Sequence, residues 1–124
     1  MNIILSNTSQ EPIYEQIAGQ IRNQIMTGEL CEDELLPSIR GLAKELQISV
    51  ITTKKAYEEL EREGYIVSIP GKGSFVAAQN RELLKEIRLK MIEGKLEEAV
   101  NAGKSIGLSL EELQEILSLI YKEA

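Results

Sequence analysis

Isoleucines at 13, 17, 21 and 25 recur every fourth residue in "EPIYEQIAGQIRNQIMTGEL", with Tyr14 and Ala18 beside them. That spacing predicts an amphipathic helix with one wide apolar stripe, stopped at Gly28. An acidic loop, "CEDELLP", follows, and Pro37 resets the chain. Ser38 is placed to cap a short helix, "IRGLAKEL", whose buried face is Ile39, Leu42, Ala43 and Leu46. Gln47 and Ile48 make a tight turn, and Ser49 caps the next helix. There Thr53, Ala56, Tyr57 and Leu60 hold positions i, i+3, i+4 and i+7 and face inward, so Ser49, Val50, Thr52, Lys55 and Glu59 fall largely elsewhere. After Gly64, "YIVSI" reads as a strand, "PGKG" as a turn and "SFVA" as a second strand.

The pattern changes near Ala78–Asn80. "NRELLKEIRLKMIEGKLEEAVNAGK" is helical, with Leu83, Leu84, Ile87, Met91 and Ile92 on one side and Leu96, Ala99 and Val100 continuing an apolar face; Gly94 is a point where it could kink or break. A last helix opens on a capping box, Ser109 with Glu112, and carries a stripe of Leu110, Leu113, Ile116, Leu117 and Ile120. The expected organisation is residues 1–78 as one domain and 79–124 as a small helical segment. The fold class is mainly α: three helices and a β-hairpin, in the order of a winged helix-turn-helix, then the helical tail.

Composition removes most chemistry. The 124 residues contain no histidine and one cysteine, Cys31, so Ser–His–Asp and Cys–His sites, an intramolecular disulfide and a good zinc ligand set are all out of reach. The acids fall mostly on helical faces, with no spacing that marks a catalytic pair, and no glycine-rich phosphate loop is present. An enzyme, a metal and a cofactor are not expected. No apolar run approaches the roughly 20 residues of a membrane span, and the start of the chain lacks the pattern of a signal peptide, so the expected location is the cytoplasm.

Net charge is −6, with 7 bases and 11 acids in residues 1–78 and 7 and 9 in residues 79–124. Any phosphate-binding surface must therefore be local. A short turn between two helices makes the second project by its N-terminal end, and a major groove of roughly 12 Å admits one helix. Short hydroxyl side chains at 49 and 52 can approach bases and phosphates closely, and helix N-terminal amides favour a phosphate. Lys54 and Lys55 lie one turn on, within reach of the flanking backbone. Arg40, next to the cap Ser38, could grip phosphate or a guanine edge. Lys72 between Gly71 and Gly73 makes a thin cationic wing tip able to approach a minor groove. Each feature alone has an ordinary structural explanation — capping, a solvated face, turn geometry — and it is their order along the chain that points to DNA.

Residues 36–76, "LPSIRGLAKELQISVITTKKAYEELEREGYIVSIPGKGSFV", closely resemble the DNA-binding domain of the GntR family of bacterial transcription regulators, and "PIYEQIAGQIRNQIMTGEL" matches its usual first helix. The short helical tail resembles the YtrA-type subfamily, whose members lack a large effector domain. The resemblance implies that Arg40, Ser49, Thr52, Lys55, Gly71 and Lys72 sit at family positions that approach DNA. It also shows departures: many members have arginine where Val50 stands and a polar residue where Ile51 stands, so those base contacts do not carry over, and methyl contacts to thymine are the expected substitute. Relatives of this type often control neighbouring ABC transporter operons.

Forty-six residues are too few to cover the tail's own stripes, so Leu83, Leu84, Ile87, Met91, Leu96, Leu113, Ile116, Leu117 and Ile120 are expected to form an isologous homodimer interface rather than to fold back as core. Two reading helices would then meet double-stranded DNA at an inverted repeat and repress by occluding a promoter, with an unidentified small-molecule effector acting on their spacing. The alternative is a winged-helix module that binds protein and shows no salt-dependent affinity for DNA.

Overall fold

The computed structural model describes all residues from Met1 to Ala124. The chain divides into two compact units, Met1–Lys85 and Glu86–Ala124.

The first unit contains α1 (Ile13–Thr27), α2 (Ile39–Leu46), α3 (Val50–Arg62) and an antiparallel hairpin of β1 (Ile66–Ile69) and β2 (Gly73–Val76). The four-residue isoleucine period of α1 is realised as burial: Ile17, Ile21 and Ile25 meet Leu42 of α2, Ala56, Tyr57 and Leu60 of α3, and Ile66 and Val76 of the hairpin in one core. Helix α1 ends at Gly28, as its spacing predicts. Both serines cap as expected, Ser38 accepting from the Gly41 amide and Ser49 from that of Thr52. In the hairpin Ile66 pairs with Val76 and Ile69 with Gly73.

Two features of this unit are not foreseen from the residue pattern. The segment "CEDELLP", expected as a free loop, runs along β2: the amides of Asp33 and Leu36 donate to the carbonyls of Val76 and Ser74 (both 2.9 Å), and the Val76 amide donates to Glu34 O (3.0 Å). Leu35 bridges Phe75, so β2 is covered on both edges. The first residues of the chain lie antiparallel to α1, held by a row of side-chain amides. Gln20 accepts from the Ile4 amide (2.8 Å) and donates to its carbonyl (2.6 Å). Gln16 does the same with Ser6 (2.8 and 3.0 Å), and Gln24 donates to Asn2 O (2.7 Å). The match is geometric: four helical residues rise about 6 Å, and two extended residues span about 6.6 Å. Glutamine at every fourth position of α1 can therefore serve every second residue of the strap, while Ile3 and Leu5 turn onto the core.

Tyr57 ties the first unit together. Its hydroxyl donates to Pro37 O at 2.7 Å, linking the middle of α3 to the residue before the α2 cap. Burial pushes this phenol well above its ordinary value. The folded chain keeps a proton that an unfolded chain releases, so the contribution is complete below about pH 10 and is lost as pH rises beyond it. Tyr57→Phe should leave the Pro37 carbonyl unpaired and lower stability by about 1–3 kcal/mol, read as a shift in urea midpoint at constant m-value.

The second unit contains most of α4 (Arg81–Ser105) and all of α5 (Leu110–Glu123). Helix α4 runs unbroken through Gly94. Between the helices the Leu108 amide donates to Gly103 O at 2.9 Å, and Ser109 and Glu112 form the reciprocal capping box. Leu113 packs on Gly103 so closely that a Cβ there would stand 3.0 Å from Leu113 Cδ2. Gly103 is the one fully buried residue from Glu86 to the C-terminus.

Candidate nucleic-acid interface

The turn between α2 and α3 sets the direction of α3. Gln47 takes a left-handed conformation (φ 57°), and the Ile48 amide returns to Ala43 O at 3.0 Å, so only three residues separate the helices. Thr53 is fully buried, its hydroxyl bonded to Ser49 O (3.1 Å), and with Ala56, Tyr57 and Leu60 it fastens the inner face of α3. The N-terminal end of the helix keeps Ser49 and Val50 exposed, its outer side keeps Ile51, Lys54 and Lys55 exposed, and Thr52 is half-buried. Ser49 and Thr52 satisfy one another: the Ser49 hydroxyl accepts from the Thr52 amide (3.1 Å) and donates to Thr52 Oγ1 (2.8 Å).

The charges are distributed unevenly. From Leu36 to Tyr57 there are four cations, Arg40, Lys44, Lys54 and Lys55, against one acid, Glu45; Glu58, Glu59, Glu61 and Glu63 follow at once. The acids crowd the C-terminal end of α3, where the helix dipole disfavours them. An overall acidic chain thus keeps a locally basic stretch over residues 36–57, bounded by Glu32–Glu34 before it and by the run of acids that begins at Glu58. Arg40 and Lys72 are exposed and make no ion pair. Lys54 lies 3.8 Å from Glu58, but both side chains are 64% exposed, so the pair holds little energy against phosphate. Arg22 is engaged elsewhere: it bonds Glu63 at 2.8 Å and lies against Tyr65. The Glu63 hydrogen bond pushes its already high pKa further up, against the effect of burial.

Lys55 has an unforeseen partner. Its ammonium sits over the Tyr14 ring of α1, 4.0 Å from the centroid, while the residue remains exposed. An aromatic face holds a long cationic stem in one place at low cost in charge. Tyr14→Leu should weaken binding to a single half-site about two- to fivefold per protomer, the value of one exposed cation–π contact, and Tyr14→Phe should bind as wild type; fluorescence anisotropy with a labelled half-site duplex reads both.

The wing tip is a tight turn from Ile69 to Lys72, closed by the Lys72 amide on Ile69 O at 2.9 Å. Pro70 occupies its second position and Gly71 its third at φ 76°, the geometry of a type II turn. Gly73 follows at φ 115°, with Leu35 so near that a Cβ would come within 3.1 Å. Both glycines are thus required by the backbone, and they leave Lys72 at the tip unobstructed. The structure therefore exposes Ser38, Arg40, Val50, Ile51, Lys54, Lys55 and Lys72 on one unit, and the Tyr57–Pro37 bond brings the start of α2 to the middle of α3.

A model of the bacterial regulatory proteins of the gntR family matches residues 13–76, the span from the start of α1 to the end of β2. The chain belongs to the GntR family. It is 36% identical over 107 residues to the HTH-type transcriptional repressor YtrA of Bacillus subtilis, covering 86% of this chain and 82% of that protein. The solved structure of YtrA from Sulfolobus acidocaldarius, a GntR-family transcription factor, is 32% identical, covers 98% of each chain and superposes with a TM-score of 0.59. The DNA-binding domain of AraR in complex with operator ORX1 is also similar, with 26% identity, 62% of this chain and 96% of that one covered, and a TM-score of 0.55. The protein is accordingly a winged helix-turn-helix transcription regulator and not an enzyme, and no helix is long and apolar enough to cross a membrane.

Proposed function

We propose that this GntR-family protein is a repressor that binds an inverted-repeat operator as a homodimer held by α4 and α5, with a neighbouring ABC transporter operon as its expected target. The observation that carries the dimer is the bareness of the second unit. Across Glu86–Ala124 no side chain is fully buried. Leu96, Ile116, Leu117 and Ile120 are exposed, as is Leu83 at the start of α4, while Leu84, Ile87, Met91 and Leu113 are half-buried. A helical hairpin of this size with no core of its own needs a partner to cover its apolar surface. An isologous pairing of two copies supplies one and places two α3 helices on one face of a duplex, about one turn or a small multiple apart. In this reading α3 enters the major groove, Arg40, Lys54 and Lys55 meet the backbone and base edges beside it, and Lys72 reaches the flanking minor groove. An effector bound to the dimer would act by favouring one separation of the two reading helices.

The experiment is a hydroxyl-radical footprint on a promoter bound by the protein, combined with sedimentation of the free protein. A dimeric repressor requires two protected half-sites of inverted sequence, in register on one face, and a dimer without DNA. Protection of a single half-site by a monomer would refute it.

A further inference from the structure

Ile51 is 81% exposed, the barest large apolar side chain of the first unit, and Val50 beside it is 44% exposed. They are the first two residues of α3. The polar side chains next to them are turned inward on each other, since Ser49 both accepts from and donates to Thr52. The Ser49 hydroxyl proton is spent on Thr52, and the most exposed side chain at the tip of the reading helix is the hydrocarbon of Ile51. The amides of Val50 and Ile51, in the first turn, have no intrahelical acceptor and suit a phosphate, which would hold this end of α3 against one strand while the side chains enter the groove.

Among the base edges of the major groove only thymine offers a hydrocarbon group, its C5-methyl; adenine, guanine and cytosine present donors and acceptors. Isoleucine pressed on one of those would strip water from a polar group and return nothing. We propose that Ile51 reads the C5-methyl of a thymine in each half-site, so that the operator carries an obligatory thymine opposite the second residue of α3. This rests on the reading of α3 as the element that enters the major groove.

The test uses the full-length protein and the duplex it enriches from a random library. Each thymine of that duplex is replaced in turn by deoxyuridine, which pairs identically and keeps O4 but lacks the methyl. One thymine per half-site should show a loss of about fourfold in wild-type affinity, the transfer value of one buried methyl. Ile51→Ala should bind the thymine and uracil duplexes alike, and Ile51→Val should keep part of the difference; the site is exposed, so all three should melt together. The inference is overturned if no thymine shows methyl dependence, or if Ile51→Ala keeps the whole of it. Enrichment of no duplex at all is a different failure, which removes the DNA reading of α3 and the inference with it.

Discussion

Ending the chain after Asn80 is expected to turn a dimer into a monomer and to weaken operator binding by about 10²–10⁴-fold, the range over which linking two binding modules raises avidity. The cut spares the core formed by α1, α2, α3 and the hairpin. It also spares the hydrogen bonds from Gln79 to Ala77 O (2.9 Å) and Gly64 O (3.3 Å), which close the end of the DNA-binding domain. The shortened protein should therefore still unfold cooperatively while losing all of α4 and α5. In the proposed dimer, what disappears is the second reading head, and with it the intramolecular step that makes two weak half-site interactions act together. Light scattering reads the mass, and anisotropy with a two-half-site duplex reads the affinity. A truncated protein that still sediments as a dimer would place the interface on the winged unit instead.

Arg40→Ala is expected to have the second large effect. Arg40 is exposed and has no ion-pair partner, so its removal should leave the melting temperature unchanged. Hydrogen bonds to a charged group are worth about 1.5–3 kcal/mol. Removing one such bond from each protomer then lowers dimer affinity by about 10²–10⁴-fold, at the usual tenfold per ~1.4 kcal/mol. Arg40→Lys separates two modes of binding. A lysine restores most of the affinity if the arginine grips a phosphate as a point charge, and little of it if the guanidinium forks onto a guanine. An affinity unchanged in Arg40→Ala would take this residue out of the interface.

The winged unit was legible in the sequence where its information is local. Repeats of three and four residues define the inner faces of α1, α2 and α3, serines followed by free amides mark the starts of α2 and α3, and a Pro-Gly pair followed by lysine fixes the wing turn. The features that escaped are those whose partners lie far along the chain. Gln16, Gln20 and Gln24 read as polar positions on a helix, and nothing nearby says that residues 2–6 will dock on them. The acidic loop before α2 has no strand-like alternation, and its pairing with β2 follows from where the hairpin returns. The stacking of Lys55 on Tyr14 joins residues on two different helices. Gln47 carries its left-handed backbone without the glycine that would announce it.

The tail was legible as helices but less so in its detail. Gly94 sits inside α4 without interrupting it, because one glycine costs only about 1 kcal/mol in a long helix. Apolar residues surround α4 and α5 more widely than one stripe: Leu89, Leu119 and Tyr121 are exposed as well. Leu113, expected at the interface between copies, is partly used within its own unit, over Gly103.

Whether the exposed cations of the winged unit meet DNA is decided most directly by the salt dependence of operator binding, compared between the full-length protein and a variant with Arg40, Lys54, Lys55 and Lys72 all changed to alanine. For the wild type, log K should fall steeply with log salt. For the variant the slope should be shallower by roughly 0.9 for every phosphate no longer neutralised, with the fold and the dimer intact. Equal slopes for the two proteins would contradict a role for these four cations in binding DNA.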